Sequence, residues 1–443
     1  MKIILKTWWP LAASWLLMGA ELPALSAVIA RLANPEIHLA AYGGVVYPLA
    51  LIVESPIIML LAASTALSKD WDSFQKLQRF MMAAGAILTT LHLLVVFTPL
   101  YTLVVVDGIG APPEIVEPAR IGLIIMTPWT WSIAYRRFHQ GVLIRFGHSR
   151  AVGVGTMIRL GADGLVLLAG YLAGNLPGII VATGAVVAGV ICEAIYAGWV
   201  TQPVIQTEVK QAKAVETPLT LRSFLDFYLP LAMTSLLTLL VNPLGSAALS
   251  RMPDALASLA VWPVVTGLIF MLRSLGIAFN EVVVALLDER RSYANLRRFT
   301  GFLAGTTTLF LVLLAATPLS GFWFENFSAL QPRLAEMARL GVWVGLPLPA
   351  LSVLQSWYQG AILHGRRTRG ITESVVVYLA TSILILGAGV IWGQVNGLTV
   401  GLAAFTLSMA TQTGWLWFRS QAVLHSVAAR DEVGIVQGAA GEL

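Results

Sequence analysis

The feature that most constrains this chain is a row of continuous apolar runs, each about twenty residues long, from one end to the other. A helix rises about 1.5 Å per residue, so each run can cross a hydrocarbon core of about 30 Å. The runs do not alternate polar with apolar residues, which argues against a membrane β-barrel. Composition agrees: 57% of residues are hydrophobic and 12% charged, where a soluble domain carries roughly 25% charged residues. The expected fold is an all-α polytopic membrane protein of about twelve spans. Their centres fall near Gly19, Ile52, Leu93, Trp131, Val166 and Val190, then Leu239, Phe270, Leu311, Val353, Ile385 and Leu407. The first run follows Lys2 and Lys6 as a signal peptide would, but it exceeds an h-region and lacks a clean cleavage site, so it is read as a span.

Orientation follows from lysine and arginine. With the N-terminus inside, the basic segments "SKDWDSFQKLQR", "RFGHSR", "DERRSYANLRR" and "HGRRTR" are all cytoplasmic. The alternate loops are poor in positive charge, so both termini are expected inside. The net charge of +5 is therefore a topology signal and not a nucleic-acid patch. One cysteine, Cys192, excludes an intrachain disulfide. No zinc spacing, Walker motif or nucleophile elbow is present, so no catalytic residue, resident metal or cofactor is expected, and the chain is not read as an enzyme. Any transport would draw on a gradient, with H⁺ or Na⁺ as coupling ion, or on a partner.

The one long polar break, "TQPVIQTEVKQAKAVETPLTLRSF", falls mid-chain. The expected organisation is a six-helix bundle over 1–205, a cytoplasmic linker over 206–220, a second bundle over 221–420 and a cytoplasmic tail over 421–443. The halves repeat at an offset of about 220 residues. In the first helix of each, Pro10 matches Pro230, Pro23 matches Pro243 and Arg31 matches Arg251. In the fourth, Pro128 matches Pro347, Gln140-Gly141 matches Gln359-Gly360 and Arg150 matches Arg369. In the sixth, Gly178 matches Gly397 and Glu193 matches Gln412. An even number of helices per half makes the repeat parallel, with its pseudo-two-fold axis along the membrane normal and substrate sites near the midplane.

The openings "WPLAASWLLMGAELPALSAVIARL" and "LPLAMTSLLTLLVNPLGSAALSRM", with the fourth-helix "FHQGVLIRFGHSR", resemble the multidrug/oligosaccharidyl-lipid/polysaccharide (MOP) exporter superfamily. Within it the chain looks most like the progressive ankylosis protein group, with multidrug and toxic compound extrusion (MATE) transporters next. The resemblance implies a V-shaped exporter working by alternating access: ion-coupled efflux of a small organic solute or anion. The alternatives within the superfamily are a MATE-type cation-drug antiporter, with Trp129, Trp131 and Trp357 as aromatic walls, and a lipid-linked oligosaccharide flippase. MATE transporters carry an acidic residue in the first helix, where Glu21 falls, but the seventh helix here offers Asn242 and no carboxylate. A non-transporting scaffold or receptor would need a soluble domain that these loops are too short to make. The expected setting is a bacterial inner membrane, as a monomer among lipids, with a small or anionic solute and no nucleic acid as partner.

A charge in mid-bilayer costs at least about 2.5–3.5 kcal/mol and so faces protein or water. Glu21 sits near the midplane, two residues before Pro23, which deprives the Gly19 carbonyl of its donor. A carboxylate beside a freed carbonyl suits a proton or Na⁺. Glu54 repeats this with Pro56 and the Ile52 carbonyl. The expected ion-coupling residues are Glu21 first, then Glu54, Asp163 and Glu193. Those expected to meet substrate are Arg273, Arg136 and Arg159, with Asn242, Glu281, Gln355 and Gln412. Arg159 and Asp163, four apart, also read as an intrahelical pair. Arg136 and Arg137 point about 100° apart, so one can face a cavity while the other snorkels to headgroups. Ser274 stands at the repeat position of Glu54, beside Arg273, which suggests either a breakable bridge or a cavity with one acidic and one basic wall.

Overall fold

A computed structural model describes residues 1–287, 289, 292–365 and 369–440, with side chains described as far as residue 431. Arg290, Arg291, Arg366 and Arg367 of the basic loops, and part of the tail, lie outside the described residues. Among the described residues, twelve long helices carry the twelve expected centres. They are span 1 (Lys2–Ile29), span 2 (Pro35–Glu54, resuming at Leu60–Leu67), span 3 (Trp71–Phe97), span 4 (Pro113–Arg145), span 5 (Ser149–Ala173) and span 6 (Gly178–Val209). The second six are span 7 (Leu221–Leu249), span 8 (Ala255–Leu286), span 9 (Ser292–Ala316), span 10 (Pro332–His364), span 11 (Arg369–Trp392) and span 12 (Gly397–Ala440). Ten of these are long and apolar enough to cross a membrane; the exceptions are spans 4 and 12.

The backbone carries the repeat. Left-handed residues recur in register: Asn34 and Asp254 before spans 2 and 8, Gly110 and Ala329 before spans 4 and 10, and Gly174 and Gly393 after spans 5 and 11. Wide-turn π-helical segments also recur, at Thr102–Ile109 and Phe322–Phe327. The halves differ at span 2, which is interrupted by a turn over 55–59, whereas span 8 runs unbroken.

The chain packs as two compact units whose boundary is not the repeat boundary. One unit comprises residues 1–27, 252–254 and 261–443; the other comprises residues 28–251 and 255–260. Most of span 1 therefore packs with the second-half helices, and span 7 with those of the first half. In the former unit the Trp8 indole donates to the Leu275 carbonyl at 3.0 Å and meets the Phe299 ring edge-on, within a core that also holds Phe279, Val353 and Trp357. In the latter, the Tyr228 hydroxyl of span 7 donates to the Pro56 carbonyl, a group that the turn in span 2 leaves without a helical donor.

In each unit the chain at or beyond the end of the last span is tied back to an earlier element. Asp70 caps span 3 through Ser73 and accepts from the Val215 amide of the mid-chain segment at 3.1 Å. Lys76 donates to the Leu219 carbonyl at 2.9 Å. Burial alone would raise the Asp70 pKa, but the Ser73 and Val215 hydrogen bonds and the nearby Lys76 outweigh it and hold the carboxyl below the ordinary range. In the other unit, Asp431 accepts from the Tyr293 amide at 3.1 Å, and Arg430 donates to the Leu287 carbonyl at 3.0 Å.

Candidate functional site

The unit built on residues 28–251 holds a buried ion network contributed by spans 2, 4, 5 and 6. Glu193 is its centre and is fully buried. It accepts from Arg136 of span 4 and, at 2.9 Å, from the Gln140 amide one turn on. Arg159 of span 5 places its Nε 3.5 Å away. Glu54 is 4% exposed and lies in the field of Arg137 first, then Arg136 and Arg159. Asp163 completes the set, buried one helical turn from Arg159. Three carboxylates thus face three guanidiniums, which is how a low-dielectric interior tolerates six charges.

Glycines make the room. A Cβ built on Gly189 would sit 1.7 Å from an Asp163 carboxylate oxygen, and one on Gly155 would touch Glu193 at 3.4 Å. Arg137 was expected at the headgroups if Arg136 faced inward; it instead joins the network electrostatically with Glu54 and Glu193. The signal for this was weak, because two adjacent arginines do not say how many of them turn inward.

The unit of residues 1–27 and 261–443 repeats this arrangement in neutral chemistry. At an offset of 219, Arg136 becomes Gln355, Glu193 becomes Gln412, and Arg159 and Asp163 become Tyr378 and Ser382. The cross-helix bond persists: Gln355 donates to the Gln412 carbonyl oxygen at 3.0 Å. Both glycines become serines that bond into the vacated space. Gln412 donates to Ser374, at the Gly155 position, at 3.4 Å. Ser382 donates to Ser408, at the Gly189 position, at 2.9 Å.

Beside this neutral core lies a cavity of about 270 Å³. Span 8 lines it with Arg273, Asn280 and Glu281, and span 10 with Ser352, Gln355 and Gln359. These fall at i, i+7, i+8 and at i, i+3, i+7, so each helix gives one stripe. Trp15 of span 1 adds an indole wall. Arg273 donates from Nε to the Ser352 hydroxyl at 2.8 Å and lies over the Phe405 ring, 4.8 Å from its centroid. Sequence reading missed Trp15 and Ser352, since neither a lone tryptophan nor a serine in an apolar run announces a cavity.

The remaining sequence expectations divide. Glu21 is half-buried at the interruption of span 1, between Lys2–Gly19 and Glu21–Ile29. The Ile52 carbonyl, expected to be open to a cation, is not: Ser55 fills it with its hydroxyl at 2.7 Å and its amide at 3.2 Å. Likewise the carbonyl that Pro243 frees, Leu239, accepts from Asn242 at 3.1 Å, so the Asn242 amide nitrogen serves its own helix. Trp129 and Trp357 are each 5% exposed and belong to packed cores, which removes them as cavity walls. Among the described residues, no group of three or more His, Cys, Asp or Glu could hold a metal ion.

The fold is two repeats of six long helices with polar groups buried among apolar ones. It is similar along nearly its whole length to solved structures of the MOP superfamily. A multidrug-resistance MATE family transporter in an inward-facing conformation matches with a TM-score of 0.70 and 13% identity, covering 91% of this chain and 95% of its own. The lipid II flippase MurJ, inward closed, matches with a TM-score of 0.70 and 15% identity, covering 96% and 91%. A MOP superfamily transporter from Pyrococcus furiosus, described as having a binding pocket of reverse polarity, matches with a TM-score of 0.61 and 14% identity, covering 93% and 95%. No family model matches the sequence, and no curated protein does either. At identities this low the likeness is one of fold.

Proposed function

We propose that this protein is a secondary active transporter that moves a small polar solute by alternating access, coupled to H⁺ or Na⁺, in the inner membrane of a bacterium with both termini cytoplasmic. The observation that carries the reading is the polar cavity of Arg273, Glu281 and their amide neighbours inside a bundle of apolar spans. Exposing such groups at membrane depth costs several kcal/mol unless they serve a pathway. The solved structures of this fold are transporters captured in inward- and outward-facing conformations, which supports alternating access.

Coupling is assigned to the carboxylates of spans 1, 2, 5 and 6. Glu21 stands at a helix interruption, and Glu54, Asp163 and Glu193 share one network with Arg136, Arg137 and Arg159. Neutralising one carboxylate there leaves an excess positive charge in a buried site, and a state that hydrates that site then gains population. The cavity of about 270 Å³ is of a size that suits a small solute. The cation-drug alternative is disfavoured by Arg273 in the wall and by the burial of Trp129 and Trp357.

The test is transport in proteoliposomes under separately imposed pH and Na⁺ gradients across a panel of solutes. Glu21→Gln and Glu54→Gln should each flatten the dependence on the coupling gradient while solute binding persists. Coupling left intact in both variants would remove these residues from the mechanism, and uptake indifferent to either gradient would end the secondary-transport reading.

A further inference from the structure

Three features of the second-half cavity bear on what it takes. Its two charged residues are of opposite sign, Arg273 and Glu281, eight residues apart on one helix and so separated by about 12 Å of rise. Neither forms an ion pair among the described residues: Arg273 is held by the Ser352 hydroxyl and the Phe405 face. Between them lie groups that both donate and accept, the amides of Asn280, Gln355 and Gln359 and the hydroxyl of Ser356. Gln355 and Asn280 already spend their amide nitrogens on Gln412 and on the Ser356 carbonyl, so they offer carbonyl oxygens as acceptors.

We propose that this cavity binds a small zwitterion of amino-acid or dipeptide size, its carboxylate on Arg273 and its ammonium toward Glu281. Glu281 is exposed and Arg273 part-buried, so the two charges count unequally. A ligand carrying only a carboxylate would satisfy Arg273 and forgo the attraction of Glu281, whereas one carrying only an ammonium would cover the Arg273 guanidinium without giving it a counter-ion, the costlier omission. A dianion meets Glu281 and a dication meets Arg273, so both are repelled. The amide row between the two charges suits a ligand backbone that itself carries a peptide or similar polar group. The Trp15 indole closes one side, where a short apolar segment can lie. The volume limits the ligand to a few residues at most.

This assignment builds on the transporter reading, and the experiment separates the two. The full chain in lipid nanodiscs is titrated by calorimetry with three probes of near-equal size: glycylglycine, N-acetylglycylglycine and glycylglycinamide. Glycylglycine should bind at least about tenfold more tightly than glycylglycinamide, which loses the charge-assisted contact to Arg273, and about threefold more tightly than N-acetylglycylglycine, which loses the weaker contact to the exposed Glu281. Arg273→Gln should erase the preference for a free carboxylate but keep that for a free amine, and Glu281→Gln should do the opposite. Arg273→Lys, which keeps the charge, should retain part of the carboxylate preference and shows that the site still folds. A blocked dipeptide that binds as well as glycylglycine, no binding of glycylglycine, or preferences unchanged in the variants would each overturn the proposal. Counterflow of glycylglycine is then measured in proteoliposomes. Binding without counterflow overturns the transporter reading and leaves the zwitterion site standing, whereas gradient-driven movement of another solute with no glycylglycine binding overturns the site alone.

Discussion

The two polar cores of this protein are the same construction made with different chemistry. In the first half, Arg136 and Glu193 join span 4 to span 6 as a fully charged pair, whereas in the second half Gln355 and Gln412 join the equivalent helices as two amides. Around the charged pair the neighbouring positions are glycines, which leave space for carboxylates; around the amide pair they are serines, which fill the space and bond within it. The two halves thus share the geometry of a cross-helix contact and differ in its charge. A neutral pair suffices to hold helices together, so the presence of six ionisable groups in the first half points to a use beyond packing.

The comparison can be broken most severely at Glu193. Glu193→Ala leaves Arg136 and Arg159 buried without their carboxylate and should cost about 3–5 kcal/mol, read as a loss of unfolding free energy in denaturant titrations of the purified protein. The double replacement Arg136→Gln with Glu193→Gln copies the second-half pair. It should recover most of that stability while abolishing the dependence of transport on the coupling gradient. Full stability with normal coupling would show that the charges serve nothing the amides do not.

The glycines give the next largest effect. Gly189→Ser puts atoms where the Asp163 carboxylate lies and should cost about 1–3 kcal/mol by overpacking. Adding Asp163→Ser recreates the Ser382–Ser408 pair and should return much of the loss in a double-mutant cycle. Additive costs would mean that the two sites do not share this space. In the second half, Gln412→Ala removes two uncharged contacts, to Gln355 and Ser374, and should cost only about 1–2 kcal/mol in the same unfolding assay. A value matching that of Glu193→Ala would erase the distinction between the halves.

The smallest effect lies outside the spans. Asp70 is held below the ordinary carboxylate range, so its contribution to stability is fully present above the unfolded pKa of about 3.9 and fades as pH falls through the folded value. Protection of the Val215 amide from hydrogen exchange, corrected for the intrinsic rate, should therefore drop below about pH 4. Asp70→Asn keeps a capping oxygen for the Ser73 amide but loses the acceptor for the Val215 amide; it should cost about 1 kcal/mol and remove that pH dependence.

Much of this was legible in the chain itself. Runs of apolar residues fixed twelve spans, because a bilayer accepts few backbone solutions. Proline, glutamine and arginine in register revealed the duplication, and the same register, carried one step further, aligns Gly155 with Ser374 and Gly189 with Ser408. Membrane depth picked out Glu54, Asp163, Glu193 and Arg273, since charges there need a reason. Sequence could not say which partner each charge takes. Glu54 was matched by repeat position with a helix bearing Arg273, yet within its own unit it lies in the field of Arg137, Arg136 and Arg159. Local reasoning also failed at the prolines: Pro56 does free the Ile52 carbonyl, but Ser55, one residue earlier, takes it at once.

What the sequence determined is the membrane fold, its count of helices and the depth at which charges lie, because hydropathy and helical rise act along the chain. Tertiary structure alone decided that most of span 1 packs with the second-half helices, that three carboxylates meet three guanidiniums, and that Arg273 and Glu281 line one cavity without pairing. Those outcomes depend on which helix faces turn toward each other, and a one-dimensional pattern gives the depth of a residue in the membrane but not its neighbour across a helix boundary.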